Sequence, residues 1–183
     1  RRVPKGTEVA ERDAIPESLI AEMKALGLVG LSIPEQYGGL GLTMEEEVRV
    51  AFELGRTSPA FRSLIGTNNG IGSQGIILDG TDEQKTRYLP KLASGEIVAS
   101  FALTEPGSGS DAASLTTTAM RDADHYVLNG TKRFITNAPE AGIFTVMARP
   151  DAADKAARGI SAFIVERGPP GSVLGKIYRQ LGQ

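Results

Sequence analysis

Two short stretches bring together residue types suited to holding a flat or anionic group. The first is FALTEPGSGSD, residues 101–111, where a β-rich run meets Pro106 and is followed by small residues and an acid. Glycine lets a backbone approach a ligand without a Cβ in the way. Successive N–H groups and hydroxyls can face anionic oxygen or a polar ring edge. On spelling alone the stretch reads either as such a loop or as a glycine-rich β-connection with no ligand. Gly107, Gly109 and Ala112 also spell G-x-G-x-x-A after a strand. A dinucleotide turn needs a helix directly afterwards, whose N-terminus holds the pyrophosphate. Here the β-branched SLTTTAM follows, so a Rossmann turn is set aside. The second stretch is KRFITN, residues 132–137. Read as the return strand of a hairpin, it puts Phe134 and Thr136 on one face. Alone, that spelling describes a core aromatic beside an exposed threonine.

The elements that must position these stretches change character near residue 97. Before it the patterns are helical. PESLIAEMKALGLVGL places Leu19, Met23 and Leu26 at helical spacing, with Gly27 as a stop. TMEEEVRVAFELGR opens with Thr43 and Glu46 as a capping box, with Glu45, Glu46 and Glu47 where the helix dipole favours negative charge. SPAFRSLIGTNNGIGSQGIILDG starts with Ser58 as cap and Pro59 in the first turn. Its Gly66, Gly70, Gly72 and Gly75 suit a helix packed closely against others, and Gly80 closes it. Thr81 with Gln84 spells a second capping box for TDEQKTRYL. After residue 97 come EIVASFALT and LTTTAM, then HYVLNGTKRFIT as a hairpin turning at Asn129-Gly130 in type I′ geometry. IFTVMARP and ISAFIVER form a further pair, joined by DAADKAARG. Helices followed by strands predict two segregated units, residues 1–97 and 98–183, in an α+β chain.

Composition narrows the chemistry. The 183 residues carry a net charge of -2 with no basic block, which argues against nucleic acid or anionic membrane as partners. The absence of cysteine excludes disulfides and thiolate metal sites. A single histidine, His125, argues against a histidine-rich metal site or an internal Ser-His-Asp triad, and its place in DADHY reads as surface. No apolar run approaches the roughly 18 residues of a membrane span. No signal peptide is visible from Arg1, the Arg1-Arg2 pair reads as a solvated end, and a cytosol-like compartment is compatible with the composition.

Together the two stretches resemble the flavin-binding segments of the acyl-CoA dehydrogenase family. IPEQYGGLGLT (residues 33–43) and GTDEQKTRYLPKLASGE (residues 80–96) resemble family segments in the same order and at similar spacing. The resemblance runs from about Asp13 to the end of the chain. It implies an N-terminal helical bundle, a middle antiparallel β-barrel or sandwich-like domain, and a C-terminal four-helix bundle. This chain would hold the first, most of the second and none of the third.

The resemblance also implies FAD as cofactor and an acyl-CoA as substrate. The α-proton of the thioester leaves to a base and the β-hydrogen passes as hydride to flavin N5, giving a 2,3-enoyl thioester. Electrons then pass to an electron-transfer flavoprotein. The family assembles as a homotetramer, a dimer of dimers, in the bacterial cytoplasm or the mitochondrial matrix. Rival readings are a flavoenzyme using another acyl carrier or oxygen, and a scaffold that keeps the fold without chemistry. By resemblance Phe101, Leu103 and Thr104 run along the flavin, with Thr104 bonding the pyrimidine edge. Gly109 belongs to the bare loop beside the cofactor. Ser110 sits at the junction of flavin phosphate and thioester tail. Phe134 takes a position usually held by tryptophan, Thr136 meets N5 with its hydroxyl, and the Ile135 backbone shares that contact. No residue here matches the family's general base, so the segment alone is expected to be inactive. Glu105 is expected to be a buried, hydrogen-bonded acid at a strand end. YGGLG and Asn68–Gly70 lie, by resemblance, near the acyl cavity, although a turn and core packing explain them nearly as well.

Overall fold

The computed structural model describes residues 15–57, 59–151, 154 and 156–177. The expected Ser58 cap and the last residues of the chain lie outside them, and the 151–159 loop is described only in part.

The helical part follows its local signals closely. Helix α1 (Glu17–Ala25) starts after Pro16 and stops before Gly27, whose φ of 72° is left-handed. Met23 is buried, but Leu26 is not on the packed face. It falls just past the helix end, so the helical spacing that seemed to include it no longer applies. Helix α2 (Met44–Leu54) has the full capping box: the Glu46 N–H donates to Thr43 Oγ1 and the Thr43 N–H donates to Glu46 Oε2. Helix α5 (Asp82–Ser94) repeats it with Thr81 and Gln84.

Between them the sequence reads as one helix and the structure breaks it. Helix α3 (Pro59–Thr67) runs into a π-turn at Asn68–Gly72, where Gly70 has ψ of -112°, and continues as α4 (Gln74–Asp79). The close-packing role expected of four glycines falls on one of them. A Cβ on Gly72 would lie 2.7 Å from Ala99 Cβ, whereas at Gly70 and Gly75 it would meet nothing within 4 Å. The break is held by Asn68, which is fully buried. Its Nδ2 donates to the carbonyls of Val29 (2.7 Å) and Leu92 (3.3 Å), and its Oδ1 accepts from the Ala99 N–H (2.8 Å). One side chain thereby ties the helices to the first strand.

That strand, β1 (Ala99–Ala102), pairs in parallel with β4 (Ile143–Ala148), which pairs antiparallel with β5 (Ser161–Glu166). A hairpin, β2 (Thr118–Asp122) with β3 (His125–Asn129), stands beside this sheet. The expected order of a helical unit followed by a β-unit is borne out, and details of the β-unit differ. The sheet is mixed rather than antiparallel, because the chain leaves β1 for the hairpin and returns in the same direction as β4. The described residues form no closed barrel. And the hairpin turns at Ala123-Asp124, not at Asn129-Gly130. Neither Asn129 nor Gly130 has positive φ. A Cβ on Gly130 would lie 2.2 Å from Thr117 Oγ1, so this glycine is required by a close crossing of two backbones and not by a turn.

Ile33, Ile76, Leu89, Leu92, Ala93, Ala99 and Ile143 make one core cluster, so helices and sheet share apolar packing. A second, with Met23, Leu31, Phe61 and Ile65, lies within the helices. Each buried Ile, Leu, Met or Phe among them contributes about 1.5–3 kcal/mol.

Candidate functional site

Residues 132–137 are not a strand. Phe134 and Asn137 have φ of 58° and 64°, in the left-handed region, so no period of two places Phe134 and Thr136 on one face. Left-handed backbone is uncommon in an aromatic residue and is held here by surrounding bonds. The segment nevertheless lies against β1 and its extension. The Arg133 N–H donates to the Thr104 carbonyl (2.8 Å), Ser100 Oγ donates to the Thr136 carbonyl (2.5 Å), and Lys132 Nζ donates to the Leu103 carbonyl (3.1 Å). Asn137 Nδ2 reaches the carbonyls of Leu64 (3.3 Å) and Ala99 (3.5 Å), fixing the far end to both the helices and the strand. The two stretches singled out by their residue types are therefore neighbours in space.

Some of their side chains are presented outward. Phe134 is 55% exposed, which overturns the core-aromatic reading of its spelling, and the Arg133 guanidinium stands 4.5 Å from its ring centre. Thr136, Gly109 and Ser110 are exposed, while Phe101, Leu103, Thr104 and Ile135 are half-buried. The hydroxyls of Thr104, Ser110 and Thr136 make no hydrogen bond among the described residues.

After Thr104 the chain makes a tight turn. Glu105 and Ser108 exchange backbone hydrogen bonds of 2.9 and 3.2 Å around Pro106-Gly107. Ser108 Oγ then donates to the Asp111 carbonyl (2.7 Å), and Ser114 Oγ donates to the Asp111 carboxylate. A Cβ on Gly107 or Gly109 would meet nothing within 4 Å. Only a single turn, Ala112–Ser114, follows, so no helix N-terminus stands where a Rossmann pyrophosphate would need one.

Glu105 is buried as expected, with its side chain 4% exposed. Its Oε2 accepts from the Thr116 N–H and Oγ1, each at 2.7 Å. Its Oε1 accepts from the Thr117 N–H (2.9 Å), Thr117 Oγ1 (2.5 Å) and Lys132 Nζ (2.9 Å). Burial pushes this carboxyl up, but the bonds from Thr117, Lys132 and Thr116 outweigh it and hold the group well below the ordinary carboxylate range. A carboxylate held down in this way and bonded to five donors is a poor proton acceptor at neutral pH.

Sequence reasoning missed three parts of this frame. Lys132 stands inside KRFITN, yet nothing in the spelling pairs it with Glu105. Thr116 and Thr117 read as plain β-formers. Arg149, 2% exposed, donates to the carbonyls of Ala113, Leu115 (3.0 Å), Asp154 (2.5 Å) and Ala156 (2.9 Å), tying the loop after Asp111 to the end of β4. Its spelling, ARP after an apolar run, carries no signal of this. His125 is exposed beside Asp122 and Asp124, in keeping with its surface reading.

Open glycines, hydroxyls with no hydrogen bond among the described residues and an exposed aromatic are thus gathered beside the first strand. Residues 1–96 match the family described as acyl-CoA dehydrogenase, N-terminal domain, and residues 100–183 match acyl-CoA dehydrogenase, middle domain. An acyl-CoA dehydrogenase of Bacillus subtilis is 43% identical over all of this chain and 48% of its own length. A structure titled as the electron transferring flavoprotein of Acidaminococcus fermentans superposes with a TM-score of 0.88 at 38% identity, over 94% of this chain and 45% of that one. An acyl-CoA dehydrogenase complexed with FAD from Bacillus anthracis superposes with a TM-score of 0.79 at 43% identity, over 89% of this chain and 28% of that one. The chain belongs to the acyl-CoA dehydrogenase family. It spans less than half the length of the curated relatives it matches, from 27% to 48%.

Among the described residues no helix is long and apolar enough to cross a membrane, and no cluster of three potential metal-ligating side chains occurs.

Proposed function

We propose that this chain supplies the FAD-facing part of an acyl-CoA dehydrogenase, which converts an acyl-CoA thioester to its 2,3-enoyl-CoA. The reading is supported by residues 132–136 lying along the β1 extension, which makes the segments that carry Thr104, Phe134 and Thr136 neighbours. The residues fit the group. A ring edge with acceptor and donor atoms needs free hydroxyls, and a pyrophosphate needs approach to backbone without Cβ atoms, which the open Gly107 and Gly109 positions allow.

FAD, when bound, supplies the two-electron acceptor for the β-hydrogen of the acyl thioester. In this reading Thr104 bonds the pyrimidine edge, and Phe101 and Leu103 pack along the ring. A preoriented hydroxyl there would stabilise developing negative charge better than a mobile water does. Thr136 would present its hydroxyl, and Ile135 its backbone, to the nitrogen that accepts the hydride. A hydroxyl can donate or accept there as the redox state changes. Phe134 gives apolar contact beside the ring, with less area than an indole and no N–H. Gly109 and Ser110 border the phosphate, and the Ser110 hydroxyl also reaches the thioester tail. No residue of the chain is assigned as base, since Glu105 is committed to five donors.

The division at residues 97 and 98, transfer of electrons to an electron-transfer flavoprotein, assembly as a homotetramer, a role in fatty-acid or amino-acid catabolism and a cytoplasmic or matrix location belong to the same reading. It is tested on the purified full-length protein. A yellow, FAD-containing protein whose colour is bleached anaerobically by at least one member of an acyl-CoA panel is the expected result. Protein without bound flavin, or a flavin that no acyl-CoA bleaches, would overturn the reading. Reoxidation by electron-transfer flavoprotein but not by oxygen identifies the acceptor.

A further inference from the structure

We propose that Glu105 and Lys132 form a positioning pair that sets the spacing between the two segments facing the cofactor. The inference rests on the FAD reading above and goes beyond it, because neither side chain is assigned a contact with the ligand.

The argument begins with where the two residues stand. Glu105 follows Thr104 and opens the turn that carries Gly107, Gly109 and Ser110. Lys132 precedes Phe134, Ile135 and Thr136. The Lys132 ammonium donates at once to Glu105 Oε1 (2.9 Å) and to the Leu103 carbonyl (3.1 Å), the two residues flanking Thr104. The next backbone N–H, that of Arg133, donates to Thr104 itself (2.8 Å). Three consecutive residues of one segment are thus gripped by two consecutive residues of the other. Among the described residues the Thr104 and Thr136 hydroxyls have no hydrogen bonds of their own to hold them apart. Their separation is inherited from this grip and from the Ser100 bond to the Thr136 carbonyl.

The chemistry suits positioning better than bulk stabilisation. The Lys132 and Glu105 side chains are only 12% and 4% exposed. Replacing a buried ion pair with apolar groups of similar volume is often neutral or stabilising, so such a pair is weak evidence for stability alone. What it adds is direction. Charge-assisted hydrogen bonds are shorter and about twice as strong as neutral ones, and this ammonium is held from two sides, by Glu105 and by the Leu103 carbonyl. The carboxylate is also locked by four bonds from Thr116 and Thr117, so it is a fixed post and not a swinging one. A lysine anchored to a fixed post holds its own segment at one distance from β1.

The test uses the full-length holoprotein with Lys132→Met, Glu105→Gln and the double variant. The readouts are the FAD dissociation constant, the visible absorption envelope of the bound flavin, and Tm. Each single variant is expected to raise the FAD Kd on the order of tenfold and to shift the flavin envelope; about 1.4 kcal/mol corresponds to tenfold. The double variant is expected to be no worse than the weaker single variant, because the pair acts as one unit. Thr116→Val withdraws one hydroxyl from the carboxylate without leaving a charge unpaired. It is expected to cause the same spectral shift with a smaller rise in Kd, and it decides the matter should the charge variants fail to fold. Variants that lose Tm but keep the wild-type FAD Kd and flavin envelope would overturn the proposal, as would additive losses in the double variant. The readout is cofactor binding, so it is separate from acyl-CoA chemistry: wild-type protein that binds FAD but is not bleached defeats the dehydrogenase reading alone.

Discussion

Replacing Gly130 with alanine tests the crossing of two backbones that the structure puts where a hairpin turn is spelled. The added Cβ would lie 2.2 Å from Thr117 Oγ1, 2.7 Å from Thr117 Cβ and 2.8 Å from Thr117 Cα. Carbon atoms in contact prefer about 3.5–4.0 Å. Rotating the threonine hydroxyl relieves the first contact only by withdrawing it from Glu105 Oε1. The contact with Cα cannot be relieved by any rotamer, so the backbone must separate. That movement strains the Thr117 N–H bond to Glu105 and the Arg149 N–H bond to the Thr117 carbonyl (2.9 Å). Overpacking a tight site costs about 1–3 kcal/mol. Weakening a hydrogen bond to a charged group adds about 1.5–3 kcal/mol. The two overlap, so Gly130→Ala is expected to destabilise by about 2–5 kcal/mol. The assay is urea unfolding of the full-length protein at fixed concentration, read as a shift of the midpoint, beside Gly107→Ala. A Cβ on Gly107 would meet nothing within 4 Å and Gly107 has no positive φ, so its variant should stay within about 0.5 kcal/mol of wild type. A Gly130→Ala protein as stable as the Gly107→Ala protein would refute the crossing.

Three other outcomes follow from the site. Thr136→Val keeps the β-branched shape and removes only the hydroxyl; FAD should remain bound while stopped-flow flavin reduction at saturating acyl-CoA slows on the order of tenfold. An unchanged rate would leave Thr136 as packing alone. Ser110→Ala should weaken flavin or substrate affinity by about 0.5–3 kcal/mol, the range for a lost hydrogen bond, and titrations showing neither change would remove Ser110 from the site. Glu105 is depressed in the folded state relative to an unfolded glutamate near about 4.3, so its contribution is present above that pH and is lost as pH falls below it. Acid unfolding of Glu105→Gln should therefore fall less steeply below about pH 4 than wild type; identical slopes would show that the Glu105 carboxyl is not held down.

Local chemistry determined much of this protein before any packing was known. Thr43 with Glu46, and Thr81 with Gln84, satisfy orphan N–H groups within four residues, so their helix starts needed no distant partner. Gly27 stops α1 for a similarly local reason, its left-handed φ. The two stretches proposed to hold the cofactor were also visible, because hydroxyls, glycines and an aromatic occur there in a recognisable order. What the sequence could not decide was every relation set by atoms far apart along the chain. Asn129-Gly130 spells a turn, but Thr117 passes close enough to Gly130 to account for the glycine another way. KRFITN spells alternation, but its bonds to the carbonyls of Thr104 and Leu103, and the bond its Thr136 carbonyl accepts from Ser100, accompany backbone conformations that alternation does not allow. The long helix after Pro59 was broken by an asparagine whose partners, Val29, Leu92 and Ala99, lie 24 to 39 residues away. Glu105 was legible as a buried acid, while Lys132 as its partner, 27 residues on, was not. A cap or a stop is an interaction within one turn of chain. A charge pair, a backbone crossing or a buried amide is satisfied only by tertiary structure, because its partner has no fixed place in the sequence.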